Sequence, residues 1–170
     1  RLPSLDWTHL PFGRIFTDHM LSMDYAGGVW QQPQIIPFGP LSINPGNATL
    51  HYGQSIFEGM KALRAKDGRI TLFRPELNAK RFNESCKRMC MPQIDEALFI
   101  DLIKQHVAFE QNWIPNTDNS SLYIRPFIFA TDDFLGVRPS ESYKFMILTC
   151  PVGAYYSEPV SVKIEEHFTR

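Results

Sequence analysis

The spacing of apolar side chains changes period at residue 75, and this change limits the architectures open to the chain. "RPELNAKRFNESCKRMC" places Pro75 at a first-turn position and lines Ala79, Phe82, Cys86, Met89 and Cys90 along one helical face. A second stripe carries Asn78, Arg81, Ser85 and Arg88. "DEALFIDLIKQHVAFEQNW" continues with Phe99, Leu102, His106, Phe109 and Trp113 at helical spacing, where His106 reads as a satisfied core histidine.

On either side the period is two. "FGRIFTDHMLSMDY" predicts a strand with Ile15, Thr17, His19, Leu21 and Met23 on one side. "QIIPFGPLSI", broken by Pro37 and Pro40, predicts an edge strand or irregular chain. "GMKALRAKDGRITLF" predicts a hairpin turning at Asp67-Gly68. After the loop "PNTDNSS", strands are predicted over about 121–130, 143–150 and 159–165. Strands, a helical pair and strands again predict an α+β fold: a mostly antiparallel sheet with helices packed on one face.

A chain of 170 residues suits one domain or one large domain fragment. Its net charge of −1 leaves no electrostatic footprint for nucleic acid or an anionic membrane surface. No apolar run approaches the ~20 residues of a membrane-spanning helix. Cys86, Cys90 and Cys150 follow no framework spacing, which predicts reduced thiols in a reducing compartment. Cys86 and Cys90 could form a redox or metal pair, but without a CxxC or Cys/His cluster they read as small core residues. Arg1, in place of methionine, and the strand-like run up to Arg170 are expected to be cuts in a longer chain. The N-terminus has no signal-peptide pattern.

Four places could carry chemistry. In "HYGQSIFEGMKA", Gly53 and Gly59 are expected to bracket a short helical turn, with Tyr52 and Phe57 on different sides as packing residues and Glu58 paired locally to Lys61. Arg81 stands among Arg74, Lys80, Lys87 and Arg88; it is either solvated or part of a cationic cluster that could hold a phosphate. In "SLYIRPFIF", Tyr123 and Arg125 are two apart on a strand and share a face. A guanidinium on an apolar strand needs a partner: Asp18, Asp132 or Asp133 in a structural ion pair, or the carboxylate of a ligand. Finally, "DDFLGVRP" presents Phe134, Leu135 and Val137, and "CPVGAYY" presents Tyr155 and Tyr156, as interface or lid residues. No GxGxxG, P-loop, HExxH or GxSxG occurs, so these residues bind or wall a site without supplying its reactive group.

Taken in order, "FGRIFTDHML", "LHYGQSIFEGMKALR", "LFRPELNAKRFNESCKRMCMP", "SLYIRPFIF", "FLGV" and "CPVGAYY" resemble the branched-chain amino acid aminotransferases, pyridoxal-phosphate enzymes of fold type IV. The resemblance implies the small N-terminal domain of such an enzyme, acting on leucine, isoleucine and valine with glutamate and 2-oxoglutarate. It implies Arg81 as the ligand of the pyridoxal 5'-phosphate phosphate group. Phe12, Phe57 and Tyr123 match substrate-pocket walls, and Tyr155 matches another active-site tyrosine. Arg125 matches the arginine associated with the second carboxylate of glutamate or 2-oxoglutarate. Tyr52, Leu135 and Val137 match residues that cross a homodimer interface, and Lys61 matches a lysine near the pocket. The family's Schiff-base lysine lies just beyond a segment like "HFTR", so no catalytic residue is expected in this chain and the isolated segment should be inactive. A cytoplasmic enzyme is implied, or a mitochondrial form whose targeting peptide has been removed. The nearest alternatives are a D-amino acid transaminase or aminodeoxychorismate lyase of the same fold, or a non-catalytic dimerisation or ligand-binding module.

Overall fold

The computed structural model describes residue 2 and residues 5–156 and 158–168. Arg1 and Arg170 therefore lie outside the described residues. The chain runs β1 (His19–Ala26), β2 (Val29–Trp30), β3 (Gln34–Pro37), α1 (Ala48–Tyr52), β4 (Ser55–Phe57), β5 (Met60–Arg64) and β6 (Ile70–Leu72). The helices α2 (Pro75–Arg88) and α3 (Glu96–Phe109) follow, then a 3-10 turn over Gln111–Trp113, and the long strands β7 (Ser121–Ala130) and β8 (Tyr143–Val152).

The strands form one antiparallel sheet in the order β2-β1-β8-β7-β5-β6, with β3 also pairing β1 and β4 also pairing β7. The α+β expectation is met. Leu122, Ile124 and Ile128 of β7 and Phe145 and Ile147 of β8 face a core shared with Phe82 and Cys86 of α2 and Phe99, Leu102 and Ile103 of α3. Phe82, Phe99 and Phe145 meet with ring centroids 4.9–5.9 Å apart, close enough for aromatic pairing to add to their buried area. The helices keep their register through Asn83, whose side chain bonds both the N–H and the carbonyl of Ile94. Asp95 caps α3 by accepting from the Leu98 N–H.

Several sequence expectations are corrected. The strand predicted over "FGRIFTDHMLSMDY" begins only at His19; Phe12–Arg14 form a turn, with Gly13 at φ +69°, and residues 15–18 are irregular. Around Gly53 the order is helix then strand: α1 ends at Gly53 in the left-handed conformation that glycine takes readily, and β4 follows. Met89 and Cys90 lie past the end of α2, and Cys90 is exposed instead of in the core. Phe109 is likewise exposed, edge-on to His19 at 4.8 Å. The strand predicted over 159–165 does not form. Val160, Val162 and Ile164 alternate as strand residues do, but they are exposed and pair with nothing among the described residues. Among the described residues no helix is long and apolar enough to cross a membrane, and no cluster of His, Cys, Asp or Glu could hold a metal ion.

His106 is in the core, as expected, yet among the described residues only one ring nitrogen is partnered. Its Nε2 lies 3.2 Å from Thr149 Oγ1, which is 2.7 Å from Thr17 Oγ1; among the described residues Nδ1 has no partner. Burial, helped by nearby His19, pushes the His106 pKa down to about 4 from an ordinary 6.5. As pH falls below about 6.5 the unfolded chain takes up a proton that the folded chain refuses until about 4. The stability held at neutral pH is therefore lost across that window as pH falls. Between pH 7 and 5 the wild type should lose roughly 2 kcal/mol more than a His106→Leu variant. Urea unfolding at the two pH values measures this, and equal losses would contradict it.

Candidate functional site

The sheet face away from the helices is where Tyr123 and Arg125 point. β4 pairs β7 over Phe127–Phe129 and β5 pairs it over Leu122–Ile124, leaving Glu58 and Gly59 to cross opposite Arg125 and Pro126. Glu58 N–H donates to Pro126 O at 2.9 Å. Carbonyl and N–H of one strand residue face the same side, so the donor that proline lacks would have pointed at this interruption. A proline inside a ten-residue central strand is tolerated for that reason.

Arg125 donates from Nε and Nη2 to Tyr123 Oη at 3.1 and 2.8 Å. Its guanidinium carbon stands 4.1 Å from the centre of the Phe57 ring, within cation–π range. Among the described residues no carboxylate oxygen lies within 4.0 Å of it. The ion pairs to Asp18, Asp132 or Asp133 are not made; Asp132 bonds Arg138 instead. This half-buried cation rests on a neutral phenol and a ring face, so its charge remains available to an incoming carboxylate.

The aromatic residues singled out in the sequence converge here. Phe12 meets Tyr123 edge-on and Tyr155 edge-on, each at 5.0 Å between centroids. Gly153 at the exit of β8 donates to Leu10 O, which ties the N-terminal segment carrying Phe12 to the strand leading to Tyr155. Tyr155, Phe12, Tyr123, Arg125 and Phe57 thus form one continuous wall. Gly59 makes room for it: a Cβ there would sit 2.6 Å from Tyr123 Oη. Lys61 is the cross-strand partner of Tyr123 and belongs to the same face.

Glu58 does not pair with Lys61. Its carboxylate, 4% exposed, accepts from Arg81 Nε at 2.6 Å, Arg81 Nη2 at 2.7 Å and Asn78 Nδ2 at 2.8 Å. Burial alone would raise the Glu58 pKa, but the bonds from Arg81 and Asn78 outweigh it and hold the carboxyl below its usual range. The hydrogen bonds to the Glu58 carboxylate, and its charge, in turn raise the Arg81 pKa. Arg81 nevertheless keeps 67% of its side chain exposed, and its Nη1 makes no hydrogen bond among the described residues. That outer edge of a planar cation suits a phosphate.

Tyr52, Leu135 and Val137 are not brought to this wall. Tyr52 and Val137 line a different groove with Gln54, Arg88 and Pro139, and Leu135 stands exposed on the same loop as Val137. Asp132 holds that loop in shape: it accepts from Arg138 Nη1, the Glu141 N–H and Ser142 Oγ at 3.0, 2.8 and 2.7 Å. Sequence reasoning missed Glu58 and Asp132 as organisers. An acid inside the apolar run "SIFEGM" signals a buried partner, but its cation lies 23 residues away.

No family model matches the chain. It is 51% identical over 172 residues to branched-chain-amino-acid aminotransferase 2 of Bacillus subtilis, covering 99% of this chain and 47% of that protein. The chain spans about half the length of the curated relatives it matches. Among solved structures, the branched-chain amino acid aminotransferase of Escherichia coli superimposes with a TM-score of 0.64 at 24% identity, covering 82% of this chain and 41% of that one, which supports the fold. A second branched-chain amino acid aminotransferase, complexed with N-(5'-phosphopyridoxyl)-L-glutamate, gives a TM-score of 0.59 at 25% identity, covering 81% and 41%.

Proposed function

We propose, from the premise that this chain is a homologue of the branched-chain-amino-acid aminotransferases, that it is the recognition domain of an enzyme transaminating leucine, isoleucine and valine with 2-oxoglutarate. The observation that carries this reading is Arg125, a cation set in an aromatic wall without a carboxylate partner among the described residues. Such a surface has to accept an aliphatic side chain in one half of the cycle and an acidic one in the other. Phe12, Phe57, Tyr123 and Tyr155 would pack the aliphatic chain, since apolar walls discriminate only modestly among related chains. Arg125 would take the distal carboxylate of glutamate or 2-oxoglutarate, exchanging the Tyr123 hydroxyl for a charged acceptor.

Pyridoxal 5'-phosphate, when bound, would supply the carbonyl that receives the amino group and the electron sink for proton transfer at the substrate α-carbon. This chain's contribution would be to hold the phosphate at Arg81, whose exposed guanidinium edge fits that group. We place the lysine that moves the proton in the remainder of the full-length protein, with residues 1–170 as its small domain. Tyr52, Leu135 and Val137 would complete the pocket of a second subunit in a homodimer, as their distance from the Arg125 wall and their exposure suit. Three free thiols suit the reducing cytoplasm to which we assign it.

An amino-donor panel on the full-length protein tests the reading. Turnover is expected with leucine, isoleucine and valine against 2-oxoglutarate, and none with D-alanine. Preference for D-alanine, or lyase activity on aminodeoxychorismate, would replace it.

A further inference from the structure

We infer that Glu58 is a positioning residue for cofactor binding: it grips the inner edge of the Arg81 guanidinium and so presents the outer edge to the phosphate. The inference rests on the reading of Arg81 as the phosphate ligand. Arginine on a helix surface has four rotatable torsions, and an anion that binds it must immobilise them. Glu58 does this beforehand. It is buried, its own backbone is fixed to Pro126 O, and its two oxygens engage Nε and Nη2 in the parallel fork that sets the guanidinium plane. Asn78, one helical turn before Arg81 on α2, steadies the carboxylate from the same side. The Nη1 edge, unbonded among the described residues, is then left to the exposed side, already oriented.

The electrostatics act in the opposite direction. A carboxylate beside Arg81 offsets part of its attraction for a phosphate, so removing the charge would strengthen binding if field strength alone mattered. Preorganisation and charge thus predict opposite signs for one substitution. Glu58→Gln keeps the shape and one acceptor but turns an amide donor toward a guanidinium donor, which breaks the fork while removing the negative charge.

The test is pyridoxal-phosphate titration of the apo form of the full-length protein, with the 31P resonance of the bound cofactor as second readout. In Glu58→Gln the dissociation constant should rise about tenfold, the cost of one charge-assisted bond, and the 31P resonance should move toward that of free cofactor. Asn78→Ala should raise the constant about twofold to threefold by loosening Glu58, and it decides the matter if the Glu58 variant does not fold. An unchanged or lower constant in these variants, while Arg81→Ala binds weakly, would overturn the role of Glu58 alone. Unchanged binding in Arg81→Ala would overturn the phosphate reading and this inference with it.

Discussion

Replacing Arg81 with alanine in the full-length protein should raise the dissociation constant of pyridoxal phosphate about a hundredfold. Two losses add. The proposed charge-assisted contact to the phosphate would disappear, and the carboxylate of Glu58, 4% exposed, would be left without its cation. That stranded negative charge would repel the phosphate as well. Arg81→Ala should therefore bind cofactor more weakly than a Glu58→Gln, Arg81→Ala double variant, although the double variant has lost more native groups. Lysine at this position should restore only part of the affinity, because it offers a point charge where the fork of Arg81 meets both Glu58 oxygens. Equilibrium titration of the apoprotein measures all four forms. An unchanged constant in Arg81→Ala would remove the phosphate role.

Arg125→Leu should separate the two substrate classes. For 2-oxoglutarate the KM is expected to rise about a hundredfold, because the half-buried cation proposed to take its distal carboxylate would be lost. For leucine it should change by less than about threefold, since a leucine side chain extends the apolar wall of Phe12, Phe57 and Tyr123. The asymmetry follows from how Arg125 rests. Bonded to a phenol and set over a ring, it is not locked by a carboxylate among the described residues, and it would keep these partners with an aliphatic substrate in the proposed pocket. Equal losses for both substrates would assign Arg125 to the architecture of the strand instead.

The pleat of β7 was legible from residues alone. A ten-residue strand with a two-residue period puts Tyr123 and Arg125 on one face, and the structure adds only what they touch. The α2 face of Ala79, Phe82 and Cys86 was equally plain, because helical spacing is a local property. What stayed hidden depends on contacts distant in sequence. Glu58 reaches Arg81 across the β5–β6 hairpin, and no spacing rule relates them. The five-residue helix α1 is too short to show a period; it is defined by the Asn47 cap and Gly53. Residues 159–165 make the converse point, since alternation marks a segment able to pair but cannot supply the neighbour it pairs with. The wall itself was recognisable only because the resemblance assembled Phe12, Phe57, Tyr123, Arg125 and Tyr155, residues drawn from segments more than a hundred positions apart.

The most direct measurement is a pair of single-turnover half-reactions on full-length protein loaded with cofactor, followed by absorbance, in wild type and Arg125→Leu. Wild type should be driven to the amine form of the cofactor by leucine and returned to the aldehyde form by 2-oxoglutarate. The variant should complete the first half-reaction at a concentration of leucine close to that used by wild type and stall in the second. A variant that returns as readily as wild type, or one that fails equally in both directions, would contradict the account of this domain as a pocket serving two kinds of side chain.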